Sequence, residues 1–214
     1  VVYVPELPAT AFVKICGVTT VDDAKNVTEA GASALGLNFA ESTRHVSLAQ
    51  AREILDVTRG EILRCAVFRD NDDDFILGTL RETDVEMVQV YGVLSDDLLA
   101  RFRALNLTVI KALNIDDHEF AEFDESSVDA VLIDGPRPGS GKTYSWDPLA
   151  TRAFRVPMIL AGGLTPENVG EAISATGAWG VDCASGVERS PGHKDHELVN
   201  SFVANARKSY GQEE

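Results

Sequence analysis

The sequence predicts one (β/α)8 TIM barrel, and three observations carry that prediction. Short β-branched runs alternate with amphipathic helical patterns eight times, the order that gives parallel strands joined by crossover helices. Eight units in 214 residues come to about 27 residues each, near the lower limit of roughly 200 residues for a closed barrel. No G-x-G-x-x-G opens the first helix and no linker breaks the pattern, which argues against the alternative, an open doubly wound sheet.

Taken in order, FVKIC (12–16) is the first strand, and TVDDAKNVTEAGA follows as a helix capped by Thr20. ALGLNF (34–39) precedes SLAQAREILDVT, capped by Ser47; ILRCAVF (62–68) precedes DDDFILGTLRET. EMVQV (86–90) leads to SDDLLARFRAL, capped by Ser95, and LTVIKAL (107–113) to the short acidic DDHEFAEF. DAVLID (129–134) is followed by a long loop and then DPLATRAF, with Asp147 as the expected cap. VPMILAG (156–162) leads to TPENVGEAISATG, where Thr165 before Pro166 reads as a cap with proline at the first helical position. WGVDC (179–183) is the eighth strand and DHELVNSFVANARKS the last helix. Residues 1–11 read as a loose leader without a basic start or long apolar run, and 12–214 as a single catalytic domain.

Composition narrows the function. The net charge is −15 with no basic cluster, which argues against nucleic acid or an anionic membrane as partner. The apolar stretches are too short to span a bilayer. Cys16, Cys65 and Cys183 are dispersed without CxxC spacing, a pattern that fits a reducing cytoplasm rather than a disulfide frame or a zinc site.

The run VLIDGPRPGSGKTYSW (131–146) contains Gly-Ser-Gly-Lys-Thr, the tail of a nucleotide-binding P-loop. That signature needs four residues between its first glycine and Gly-Lys-Thr. Counting back from Gly141, the position holds Pro136, and Gly135 comes one residue too early. The lysine also opens no helix. The run therefore reads as a loop after the sixth strand, either a solvated tip or an anion-binding loop whose glycine amides and Lys142 approach a ligand.

Chemistry on a barrel collects where strands end. Those ends carry Cys16, Asn38, Phe68, Tyr91, Lys111, Asp134, Gly162-Gly163 and Asp182 to Gly186. Strand alternation puts Lys14 and Cys16 on one face, and Leu132 and Asp134 on one face. If both faces point inward, Cys16 and Asp134 meet across the mouth. Cys16 suits either an inert core thiol or a tuned thiolate, whereas Cys65 suits only the core. Lys14 and Lys111 suit structural ion pairs as well as direct chemistry. The glycine turns after strands seven and eight, LAGGLTPENV (160–169) and DCASGVE (182–188), stand where this fold places phosphate.

Together KICGVTTVDDA, STRHVS, VQVYG, LIDG…GSGKTYSWD, LAGGLTPENV and VDCASGVERSPGHKD, in this order from Val13 to Ala206, resemble the phosphoribosylanthranilate isomerases of tryptophan biosynthesis. The resemblance implies an Amadori rearrangement of a phosphorylated N-glycoside without metal or other cofactor, by a monomer or homodimer. It implies Asp134 as the acid and Cys16 as the base, with burial raising Asp134 and Lys14 or local dipoles favouring a Cys16 thiolate. It assigns the anthranilate carboxylate to Arg44 and the phosphate to Gly162, Gly163, Ser185, Gly186 and the GSGKT loop around Gly141. Asp182 is expected to orient that loop or the ribose.

The chain departs from the family's usual VQLHG at Tyr91 and from DVSSG at Cys183 and Ala184, and Asn38 is unusually polar for its segment. Ala184 leaves the phosphate contact there to amides and Ser185. The nearest alternative enzyme is the related sugar isomerase of histidine biosynthesis, which has aspartate at the end of strand one and two phosphate sites. A non-catalytic phosphate-binding barrel is a third reading, with no physical reason to keep both Cys16 and Asp134.

Overall fold

The computed structural model describes residues 11–136 and 143–212; residues 1–10 of the expected leader, Gly141 and Lys142 lie outside them. Eight parallel strands close into a barrel in sequence order. They are β1 (Phe12–Cys16), β2 (Ala34–Asn38), β3 (Leu63–Arg69), β4 (Met87–Tyr91), β5 (Thr108–Asn114), β6 (Ala130–Asp134), β7 (Met158–Leu160) and β8 (Gly180–Cys183). The crossovers carry α1 (Val21–Glu29), α2 (Leu48–Val57), α3 (Asp73–Glu82), α4 (Asp96–Ala104), α5 (His118–Glu122), α6 (Asp147–Ala150) and α7 (Val169–Thr176). After β8 come a small antiparallel hairpin, β9 (Glu188–Ser190) with β10 (His193–Lys194), and α8 (His196–Ser209).

Two apolar layers follow from strand alternation. Phe12, Cys65, Met87, Ile110, Leu132 and Ile159 belong to the cluster that fills the barrel. Their strand neighbours, among them Val13, Ala66, Val88, Val109 and Ile133, pack outward under the helices. Trp179 stacks on Phe12 with ring centroids 5.1 Å apart and closes the end where strands begin. The same period of two turns Lys14, Cys16, Gln89, Tyr91, Asp134 and Asp182 inward. Cys65 is fully buried, and burial pushes its thiol up to about 12, as befits a core residue. Ala11 is itself buried, and its carbonyl accepts a bond from Ser33 Oγ at 3.4 Å.

Thr20, Ser47 and Ser95 cap their helices, and Ser47 forms a reciprocal capping box with Gln50. Three local expectations need correction. Asp147 is the first residue of α6 rather than its cap, and α6 stops after four residues. Thr165-Pro166 opens a turn, and α7 begins only at Val169. The cause is Asn168, whose Oδ1 accepts from the Thr165 amide at 2.8 Å while its Nδ2 donates to the Gly163 carbonyl at 3.0 Å. Lys111 does not end its strand, because β5 runs on to Asn114. It faces the helices, fully buried, and its ammonium pairs with Glu119 of α5 at 2.9 Å.

Candidate active site

Cys16, Arg44, Asp134, Gly162, Gly163, Asp182 and Ser185 line one cavity of about 870 Å³, counting its part open to solvent, at the end of the barrel where strands finish. Gly186 is not among the lining residues. A Cβ there would fall inside the Leu164 carbonyl, so this glycine lets the turn after β8 seat against the loop after β7.

Asp134 ends β6 and is 5% exposed. Its Oδ2 accepts a hydrogen bond from the Tyr91 hydroxyl at 2.9 Å, and its Oδ1 accepts from the Gly135 amide at 2.8 Å. Burial raises the carboxyl above its ordinary value, against the pull of these two donors. Burial and the adjacent Asp134 charge also raise the Tyr91 phenol well above its usual range, so Tyr91 keeps its proton for this bond. Arg69 lays its guanidinium 4.0 Å from the Tyr91 ring centroid, and both residues line the cavity.

Cys16 ends β1 with part of its surface open to the cavity. Gly36, its register partner on β2, has no side chain because a Cβ would stand 2.9 Å from the sulfur and 3.1 Å from Lys14 Nζ. Burial raises the thiol above its ordinary value, although Lys14 and Lys194 both pull the other way. Lys14 thus favours the thiolate in direction, as expected, but burial outweighs its pull. Lys14 is fully buried, and its charge is already matched by Asp182 Oδ1 at 2.9 Å. Despite the burial that disfavours its charge, that carboxylate keeps Lys14 above the usual lysine range. Asp182, expected to orient a loop or the ribose, makes its ion pair with this lysine across the β1–β8 register.

Arg44 reaches the cavity over Gly17, where a Cβ would meet its Cδ at 2.5 Å. Its guanidinium donates through Nε and Nη2 to the two oxygens of Glu188, each at 2.8 Å. The remaining N–H groups are left to meet an anion. Glu188 also accepts from Lys194 at 3.0 Å, and the same ammonium donates to the Cys16 carbonyl at 2.7 Å and the Ala184 carbonyl at 3.1 Å. Burial alone would raise the Glu188 carboxyl, but the two cations hold it below its ordinary value. Tyr91, Arg69, Glu188 and Lys194 were not singled out as site residues. Lys194 and Glu188 stood in the VERSPGHKD motif, but nothing in a charged stretch announces burial.

On the opposite rim, no hydrogen bond within the described residues engages the amides of Gly162, Gly163 or Ser185. Gly162 and Gly163 adopt φ of 88° and 70°, a backbone shape that glycine takes without strain. A Cβ on Gly162 would stand 2.6 Å from the Gly135 nitrogen and 2.9 Å from Asp134 Oδ1, so its bareness also admits the Asp134-Gly135 turn. Tyr144 packs on Gly135 and donates to the Ala161 carbonyl at 3.1 Å, pinning the far end of that loop. Cys183, also in the cavity lining, donates its thiol to the Leu164 carbonyl at 3.2 Å. Among the described residues, no group of three or more His, Cys, Asp or Glu is arranged to hold a metal ion, and no helix is long and apolar enough to cross a membrane.

A sequence model of the N-(5'-phosphoribosyl)anthranilate isomerase family matches residues 13–205. The chain belongs to that family. The N-(5'-phosphoribosyl)anthranilate isomerase of Geotalea daltonii is 40% identical over 205 residues, covering 93% of this chain and 98% of its own. That of Cellvibrio japonicus is 38% identical over 205 residues, covering 94% and 95%. Among solved structures, phosphoribosyl anthranilate isomerase from Thermus thermophilus superposes with a TM-score of 0.79 at 34% identity, over 92% of this chain and 98% of that one. Another phosphoribosyl anthranilate isomerase was solved in complex with reduced 1-(o-carboxyphenylamino)-1-deoxyribulose 5-phosphate; it superposes with a TM-score of 0.76 at 32% identity, over 92% and 99%. At Tyr91, where the sequence departs from the expected VQLHG, the hydroxyl reaches Asp134 directly.

Proposed function

We propose that this chain converts N-(5-phosphoribosyl)anthranilate to 1-(2-carboxyphenylamino)-1-deoxyribulose 5-phosphate in tryptophan biosynthesis, with Asp134 as general acid and Cys16 as general base. The observation that carries it is the pairing of a buried carboxyl on β6, its pKa raised by that burial, with a partly open thiol on β1 in one cavity. Asp134 delivers its proton to the furanose ring oxygen as the C1–O bond breaks and the nitrogen lone pair forms the iminium ion. Cys16 removes the C2 proton, and that electron pair becomes the C1–C2 double bond of an enolamine. C1 then gains a proton while the C2 hydroxyl loses one, giving the ketone. The net debt is one proton, passed from Cys16 back to Asp134 through solvent. The chemistry itself calls for no metal, nucleotide or redox cofactor.

Anion binding follows from the rims. The open amides of Gly162, Gly163 and Ser185, with the loop around Gly141, hold the phosphate. Gly186 contributes by seating that turn. The free edge of the Arg44 fork takes the anthranilate carboxylate. Arg44 and Arg69 at the cavity offset the −15 overall charge where the substrate enters. The protein acts as one catalytic domain from residue 12 onward, as a monomer or homodimer in the cytoplasm, without nucleic-acid or membrane partners.

Purified, chelator-treated protein is expected to turn over phosphoribosylanthranilate, and Asp134→Asn and Cys16→Ala each to lower kcat by at least about a hundredfold with unchanged folding. Full activity in either variant refutes its role. A parallel assay on the histidine-pathway sugar, turned over equally well, would make this a dual-substrate enzyme.

A further inference from the structure

The floor of the cavity holds a polar group that the mechanism above leaves idle. Gln89 sits on the inward face of β4, one alternation below Tyr91, and is 1% exposed. It lines the cavity. Among the described residues, neither its Nε2 nor its Oε1 has a hydrogen-bond partner. Its register neighbours are Val67 on β3 and Ile110 on β5, and Met87 lies below it on the same face; none of these side chains offers a polar atom. Buried amides are almost always bonded, and a primary amide in the cavity lining with both ends unpartnered suits a ligand that donates and accepts at once.

We infer that Gln89 is a substrate-binding residue that takes a ribose hydroxyl of the bound N-glycoside. This rests on the function proposed above. A hydroxyl accepts from Nε2 and donates to Oε1 together, whereas a carboxylate or phosphate would meet the Oε1 lone pairs with its own. The two anionic groups of the substrate also have better matches elsewhere, at Arg44 and at the open amides after β7 and β8. Strand β4 lies across the barrel from β8, so a sugar tethered by its phosphate at the β7–β8 rim turns its hydroxyl edge towards Gln89. Cys16 and Asp134 then approach it from β1 and β6. Gln89 in this role fixes how the ring sits between acid and base.

The test separates a ligand role from a packing role because the two predict opposite stability changes. Gln89→Met keeps the length and removes both polar ends. It is expected to unfold at the same or higher urea concentration than the wild type, because a buried unpaired amide is gone. Meanwhile affinity for reduced 1-(o-carboxyphenylamino)-1-deoxyribulose 5-phosphate, measured by calorimetry, falls at least tenfold, and kcat/KM falls with it. Unchanged affinity overturns the inference, whatever happens to stability, and so does a parallel loss of stability and affinity in both Gln89→Leu and Gln89→Met. Wild-type protein that binds the compound but turns over no substrate would sink the proposed reaction while leaving Gln89 to be judged on binding alone.

Discussion

Truncating Glu188 to alanine probes the buried charge cluster behind the Cys16 thiol. The carboxylate side chain is 3% exposed and accepts from Arg44 twice at 2.8 Å and from Lys194 at 3.0 Å. Arg44 is 13% exposed and can turn its freed fork to water, but the Lys194 side chain is 0% exposed. In Glu188→Ala that ammonium keeps only two carbonyl oxygens and no counter-charge. Leaving a buried charge uncompensated costs about 3–5 kcal/mol, a large share of the roughly 5–15 kcal/mol that holds a domain together. At a urea slope of about 2 kcal/mol per molar, the midpoint drops by about 1.5–2.5 M. Glu188→Ala/Lys194→Met removes both charges, so it costs at least about 2 kcal/mol less than the sum of the single variants. The folded-state carboxyl lies below its unfolded value. Its contribution is therefore fully present above the unfolded pKa and fades as pH falls through the lowered one, and the gap between wild type and Glu188→Ala narrows in acid. A cost under about 1 kcal/mol at pH 7, or strictly additive single variants, would refute the coupling.

Two further outcomes follow from the site. In Tyr91→Phe, Asp134 loses a donor that favours its ionised form, so its carboxyl rises by about one further pH unit. The acid limb of the kcat/KM profile then moves up by the same amount, and an unmoved limb denies the pairing. Because the wild-type Asp134 pKa is already raised, its stabilising contribution is present below the unfolded carboxyl pKa and disappears as pH climbs through the folded one. Gly186→Ala forces a Cβ into the Leu164 carbonyl. It is expected to lose about 1–3 kcal/mol in urea unfolding and to raise KM as the phosphate rim shifts; a neutral variant would mean that the two turns do not seat together.

The barrel was legible because its physics is periodic. Runs such as FVKIC and DAVLID alternate between two faces and end in polar groups. The strand count and the sharing of a face by Lys14 with Cys16 and by Leu132 with Asp134 therefore follow from spacing, whereas the inward aim of those faces is set by barrel closure. Thr165-Pro166 misled because its cap signal is local, whereas Asn168 reaches back and delays the helix by three residues. Lys111 misled because strand five carries its alternation three residues beyond it. The pairing of Tyr91 with Asp134, 43 residues apart, leaves no local trace. Neither does the burial of Lys194 and Glu188, which in the sequence read as an ordinary charged stretch after strand eight. Gln89 was legible at the end of strand four, within the VQVYG motif, but its lack of partners is a property of the folded interior.

The ammonium of Lys194 grips a carbonyl 178 positions earlier in the chain. A growing polypeptide therefore exposes Cys16 well before the hairpin after β8 has emerged and encloses it only afterwards. Contacts of such separation are slow to form, so during synthesis the thiol spends its longest interval outside the niche that will later restrain it. Oxidants in that interval threaten Cys16 more than they threaten the finished protein.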